Sequence, residues 1–254
     1  MTGSTRPPYR AVVFDLFGTL VEFDPGRLPT LTVDGATVPS TVPRYAERLR
    51  HYVPHLRAEE FAVALRTASH EIRSAGGDSL VETPSRERFR RALARVACPD
   101  EQLDEAAAVL SRSHHEAIAA ATVFPPAHRE VLALAAARGP LAVVSNFDDT
   151  SSAFAILARH AILPALATVV VSEAIGLRKP HPAMLATALA TLGLSARDVL
   201  FVGDSFPADV GVAQALGADV AWIDVTGDGP PPGAPQPRYV LRRLAELRAV
   251  LAGS

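Results

Sequence analysis

Ala11-Val12-Val13-Phe14-Asp15-Leu16-Phe17-Gly18-Thr19-Leu20 is an apolar run that ends in a carboxylate, with a glycine and a hydroxyl close behind. Strands buried on both faces of a parallel sheet read as short continuous apolar runs, so residues 11–14 are expected to form a central strand with Asp15 at its carboxyl end. In open α/β sheets that edge is where ligands bind, because the loops splay apart there and leave a crevice. A carboxylate so placed can act as a nucleophile, a metal ligand or both. Taken alone, an aspartate in this setting is better read as capping the turn that follows. Three further stretches decide between these readings.

Downstream, helix and strand patterns alternate. Residues 127–138 read as a helix stopped by Gly139-Pro140, 141–144 as a buried strand, 151–160 as a helix and 168–171 as a strand. Residues 182–192 read as a helix ended by Gly193, 199–202 as a strand, 207–216 as a helix before Gly217, and 220–223 as a strand. A Pro/Gly-rich loop over 226–237 precedes a last helix expected at 241–251. Such alternation predicts an α/β fold, a parallel sheet with helices on both faces.

Between the first strand and this block the character changes. Residues 31–38 alternate on both sides of Asp34-Gly35, the signature of a β-hairpin with a tight turn. From 42 to about 122 apolar residues recur at helical spacing, as in Tyr45/Leu49/Tyr52 and Phe89/Leu93/Val96. Breaks at Pro54, Gly76-Gly77, Pro84 and Pro99 divide this into about four helices. The expected organisation is a core of residues 1–24 and 123–254, with a helical insertion at 25–122 that carries the hairpin near its start.

Each candidate core strand delivers polar residues where it stops. The first gives Asp15 and Thr19, the second Ser145-Asn146, and the fourth Gly203-Asp204 with Asp209; the third leads into Arg178-Lys179-Pro180. Any one has an ordinary structural explanation, but four at one edge of one sheet point to a site. Of 25 basic residues, Lys179 is the single lysine. Arginine is a wide planar fork, whereas an ammonium is a compact point charge that fits between a carboxylate and a phosphoryl oxygen.

With these ordered motifs in their strand contexts, the chain resembles the haloacid dehalogenase superfamily of hydrolases, in the branch whose helical cap lies between the first and second motifs. The resemblance implies a Rossmann-like three-layer core of about five main parallel strands, with the active site beneath the cap. It makes Asp15 the nucleophile, gives Thr19 and Ser145 to phosphoryl oxygens, and lets Lys179 stabilise the nucleophile and the developing charge. Asp15, Asp204 and the carbonyl of Phe17 would bind Mg²⁺, with Asp209 orienting metal-bound water. Asn146, Arg27 and Arg44 join the residues expected to meet an anionic substrate. The physical need is plain: a phosphate monoester repels a carboxylate, so the site must supply positive charge before attack.

Phosphatases of this superfamily usually carry an aspartate two residues after the nucleophile as general acid and base, and this chain has Phe17 there. An aromatic at that position is similar to the 2-haloacid dehalogenases, whose halide leaving group needs no proton. Against that reading stand Asp204 and Asp209, the metal-binding form of the last motif. A phosphatase is therefore favoured over a dehalogenase, and both over a protein that binds a phosphorylated ligand without turnover. The departing oxygen must leave unassisted or take its proton from Asp148, Glu22, Asp24 or water.

Composition narrows the partners. The 254 residues are 48% hydrophobic with a net charge of -2, which offers no electrostatic footprint for nucleic acid or an anionic membrane. The expected partner is a small phosphorylated substrate, or a halogenated acid under the dehalogenase reading. One cysteine excludes an internal disulfide and a cysteine-based zinc cluster. His114-His115 and His51/His55 are expected at solvated or core-edge helix positions. Residues 1–10 contain no long apolar segment, so neither a leader nor a membrane span is expected, and a cytoplasmic location follows by default.

Overall fold

The computed structural model describes residues 9–77 and 79–253; residues 1–8, part of the stretch read for a leader, lie outside the described residues, as do 78 and 254. The chain divides into two compact units. One comprises residues 1–22, 124–146 and 157–254, the other residues 23–123 and 147–156.

The first unit opens with β1 (Ala11–Phe14), and the chain leaves it through the two-residue strand β2 (Glu22–Phe23). In the second unit β3 (Thr30–Val33) and β4 (Ala36–Pro39) form the expected hairpin. Asp34 and Gly35 at its tip have φ of 51° and 80°, the paired positive values of a type I′ turn. Helices α1 (Ala46–Tyr52), α2 (Ala58–Gly76), α3 (Ser85–Arg95) and α4 (Leu103–Ala120) follow, broken where the prolines and glycines fall. Their apolar faces share a core with Leu31 and Val33 of the hairpin, centred on Tyr45, Phe61 and Phe89, whose rings meet at 6.1–6.4 Å.

After β5 (Thr122–Val123) the chain returns through α5 (Pro126–Ala136) and β6 (Leu141–Ser145), then α6 (Thr150–Arg159) and β7 (Leu166–Val171). The short α7 (Ser172–Ile175), α8 (Ala183–Leu192), β8 (Val199–Gly203), α9 (Gly211–Leu216), β9 (Asp219–Ile223), β10 (Tyr239–Leu241) and α10 (Leu247–Gly253) complete it. The sheet is six-stranded and parallel, in the order β10-β9-β8-β1-β6-β7. β1 lies between β6 and β8, and every one of its residues is buried, which is why it reads as an unbroken apolar run. The chain builds outward from β1 to β7 on one side, then crosses back to build β8 to β10 on the other. β1 and β8 thus flank the point where strand order reverses, the place where such sheets open a crevice.

Two expectations need correction. The sheet has a sixth strand, and the last helix starts later than expected: Leu241 pairs with Ile223, residues 244–246 form a 3₁₀ turn, and the α-helix begins only at Leu247. A three-residue edge strand behind a proline-rich loop is too short to show a two-residue period. The helix expected over 207–216 is a single π-helical turn (Phe206–Val210) followed by α9. Such turns occur frequently at functional sites because they displace a side chain from the regular helical track.

Candidate active site

Asp15 follows β1 and is tied to β8 by its amide, which donates to the Val202 carbonyl at 2.8 Å. Gly18, with φ of +73°, lies within the turn that follows; a Cβ there would lie 2.4 Å from Asp204 Oδ2. Gly203 makes the same kind of room, since its Cβ would lie 2.3 Å from the Asp209 carboxyl carbon. Two glycines thus let three carboxylates close in: Asp15, Asp204 and Asp209 each offer an oxygen within 4.8 Å of the others.

Lys179 Nζ stands between two of them, 2.7 Å from Asp15 Oδ1 and 2.6 Å from Asp209 Oδ1. Its side chain is 1% exposed and that of Asp209 0%, so this is a desolvated pair with a shared third partner. Phe201 lies beneath the ammonium, its ring centre 5.5 Å away. Asp209 also accepts from the Ser205 amide at 2.9 Å, so both of its oxygens are engaged. Asp204 accepts from Thr19 Oγ1 at 3.4 Å and its carbonyl from Trp222 Nε1 at 2.9 Å. Thr19 and Ser145 are buried at the ends of their segments.

The electrostatics follow from three carboxylates sharing one ammonium. Burial, then the charge of Asp15, raises Asp204 above the ordinary carboxylate range. The same two causes push Asp209 up to about 7, with Lys179 pulling the other way. Burial alone would lower Lys179, but the charges and hydrogen bonds of Asp15 and Asp209 outweigh it and leave the ammonium held more firmly than usual. Carboxylates repel one another when jointly ionised, and a divalent cation relieves that repulsion. The donors are hard oxygens around an excess of negative charge, the chemistry that suits Mg²⁺.

Residues 9–217 match the family pattern of haloacid dehalogenase-like hydrolases. The chain belongs to that family. This hydrolase is 30% identical over 248 residues to a phosphoglycolate phosphatase of Pectobacterium atrosepticum, spanning 96% of this chain and 93% of the relative. It is 32% identical over 221 residues to a phosphoglycolate phosphatase of Rhodospirillum rubrum, covering 83% of this chain and 78% of that one. In fold it is similar to the crystal structure of a 2-haloacid dehalogenase from Pseudomonas syringae pv. Tomato DC3000, with a TM-score of 0.73 at 19% identity, over 96% of this chain and 99% of that one. Among its described residues no helix is long and apolar enough to cross a membrane.

The first unit of this hydrolase brings together Asp15, Thr19, Asp204, Asp209 and Lys179, and seats Asn146 against the main chain of Lys179. Arg27 and Arg44 belong to the second unit and are occupied locally: Arg27 meets Asp24 at 3.2 Å, and Arg44 donates to the Arg27 carbonyl at 3.4 Å. Of the alternative proton donors, Asp24 also caps a turn through the Gly26 amide, and Glu22 is exposed, 4.0 Å from His128. Asp148 is bound between His115 Nε2 at 3.1 Å and Arg88 Nη2 at 3.0 Å. Burial would raise its carboxyl, but the His115 hydrogen bond and the Arg88 charge outweigh it, so Asp148 is held as the anion, a poor acid. His115 is therefore a core residue and not a helix-edge one, for a reason 33 residues away in the chain.

Proposed function

We propose that this hydrolase removes the phosphoryl group from a small phosphorylated carboxylic acid, with Mg²⁺ as its metal and Asp15 as its nucleophile. The observation that carries the reading is the single ammonium of Lys179 wedged between Asp15 and Asp209 beside Asp204. Its relatives at about 30% identity are phosphoglycolate phosphatases, which points to phosphoglycolate and similar small acids as the substrate class. Asp15, Asp204 and the Phe17 carbonyl would hold Mg²⁺, with Asp209 beside them; when bound, the ion supplies the positive charge that lets a carboxylate approach an anionic ester.

The chain's own residues do the rest. An Asp15 oxygen forms a bond to phosphorus as the ester oxygen leaves with the bonding electron pair, giving an aspartyl-phosphate and the leaving group as its anion, which takes a proton from water. Lys179 neutralises charge on the nucleophile and on the phosphoryl oxygens, and Thr19 and Ser145 offer hydroxyl donors to those oxygens. Water then attacks phosphorus, releasing inorganic phosphate and restoring Asp15. Phe17 brings no carboxylic acid to this edge, and Asp24 and Asp148 are committed elsewhere. The leaving oxygen therefore departs with little proton assistance, and rate is expected to rise as its pKa falls.

The test is a panel of phosphoesters assayed with and without Mg²⁺, including phosphoglycolate, a graded series of aryl and acyl phosphates, and 2-chloropropionate. Mg²⁺-dependent phosphate release, steeper for better leaving groups, is the expected result. Phe17→Asp flattens that dependence and helps alkyl phosphates most, by up to about 10²-fold. Phe17 itself favours the second reading, a dehalogenase; chloride release from 2-chloropropionate undiminished in EDTA would replace the first with it.

A further inference from the structure

β6 and β7 are neighbours in the sheet, with Ser145 opposite Val171 at their carboxyl ends. That register sets the residue just past β6 beside the loop that follows β7. In this loop the His181 amide donates to the Arg178 carbonyl at 2.8 Å, closing a turn with Lys179 and Pro180 at its centre. Lys179 is 4% exposed and lies outside any helix or strand, so its own amide and carbonyl must find partners elsewhere in the fold. Asn146 supplies both. The Lys179 amide donates to Asn146 Oδ1 at 2.7 Å, and Asn146 Nδ2 donates to the Lys179 carbonyl at 3.0 Å. The carboxamide thus pairs with the lysine main chain as one peptide group pairs with another, in both directions at once.

A lysine side chain has four rotatable bonds and does not by itself fix where its ammonium lies. The seat between Asp15 and Asp209 is reached at 2.7 and 2.6 Å only if the main chain starts from the right place. We propose that Asn146 is a positioning residue that anchors the main chain of Lys179, in place of the substrate-binding role expected of it from the sequence. Its acceptor oxygen is spent on the Lys179 amide and one of its donor hydrogens on the Lys179 carbonyl. The kinetic part of this proposal rests on the phosphatase reading; the structural part does not.

The experiment uses the full chain with Asn146→Ala and Asn146→Asp. Asp keeps an acceptor for the Lys179 amide and lacks the donor for its carbonyl. Two readouts are taken: hydrogen exchange at the Lys179 amide, and kcat, KM and the inhibition constant of inorganic phosphate. In Asn146→Ala the Lys179 amide is expected to exchange at least about tenfold faster, while the Val21 amide, bonded to the Leu16 carbonyl in the nucleophile's loop, keeps its rate. The kcat falls about 10- to 100-fold with KM and phosphate inhibition within about twofold, as for a misplaced catalytic group. Asn146→Asp restores protection of the Lys179 amide.

Unchanged exchange at Lys179, or equal acceleration at Val21, overturns the proposal. So does a loss carried by KM and phosphate inhibition with kcat intact, since that marks a substrate ligand. Wild-type protein that turns over no phosphoester sinks the proposed function, yet leaves the exchange comparison to decide the anchor alone.

Discussion

The two edges of the core sheet are both lined with polar side chains, and they are built on opposite principles. At the amino edge each carboxylate is matched. Tyr9 Oη donates to Asp219 Oδ2 at 2.6 Å, Asp198 accepts from the Ser195 amide and hydroxyl at 3.0 and 2.6 Å, and the Arg10 amide donates to the Asp198 carbonyl at 2.7 Å. The Ser195 hydrogen bonds hold Asp198 below the ordinary carboxylate range. At the carboxyl edge three carboxylates share one ammonium, and burial with mutual repulsion raises Asp204 and Asp209. Carboxylates paired with neutral hydrogen-bond donors tie the segments of the amino edge together. Unmatched charge gathers where strand order reverses, at the edge for which Mg²⁺ and an anionic substrate are proposed.

The largest expected effect breaks the carboxyl edge at its centre. Asp15→Asn removes the proposed nucleophile and is expected to lower kcat/KM by about 10⁴-fold or more in a phosphoester assay, with the fold retained by circular dichroism. Next come changes that keep the nucleophile and spoil its surroundings. Lys179→Arg keeps the charge but cannot fit a planar fork into a seat 2.6 and 2.7 Å from two carboxylates, and Asp204→Asn would weaken the hold on the proposed Mg²⁺. Each is expected to cost about 10²- to 10³-fold in kcat. For Asp204→Asn, titration of activity with Mg²⁺ shifts to higher concentration, whereas for Lys179→Arg it does not.

A third expectation separates the acid sensitivity of the two units. His114 is held neutral, lowered to about 3 by burial and by the charges of Arg88 and His115. A histidine whose folded pKa is depressed gives full stability above its unfolded value near 6.5, and that stability is lost as pH falls, because the unfolded chain takes up the proton first. The unfolding free energy read from urea titration is therefore expected to fall below pH 6.5, by at most about 1.4 kcal/mol per pH unit. His114→Gln flattens that slope. The raised carboxylates of the other unit act in the opposite sense, so an unchanged slope in this variant refutes the assignment to His114.

The smallest effect belongs to the amino edge. Tyr9→Phe removes one hydrogen bond to Asp219 and is expected to cost about 1 kcal/mol of stability, read from urea unfolding, with kcat/KM unchanged. A loss of activity there would erase the contrast between the two edges.

Much of this was legible in the linear chain because burial leaves a local trace. β1, β6 and β8 sit buried on both faces and so read as unbroken apolar runs, and Asp34-Gly35 marked its turn because few other pairs tolerate two positive φ values in succession. The polar residues at the strand ends, and one lysine among arginines, stood out by type and place, and the fold brings Asp15, Asp204, Asp209 and Lys179 together. Apart from the pairs that the family resemblance implied, what stayed hidden were pairings whose partner is set by strand order and not by spacing. Lys179 meets Asp209 30 residues on and Asn146 33 residues back, and His115 meets Asp148 33 residues on. Periodicity reports which face of an element is buried, over a few residues at a time; which side chain waits on the other side is decided only when the sheet brings β6 beside β7 and β1 between β6 and β8. The sequence by itself thus determined the elements and the chemistry available at one edge. Only the tertiary structure decided that Arg27 meets Asp24 and Arg44 the Arg27 carbonyl, that Asn146 pairs with the main chain of Lys179, and that one ammonium contacts two carboxylates, because hydrogen bonds and ion pairs act over about 3 Å in space whatever the distance along the chain.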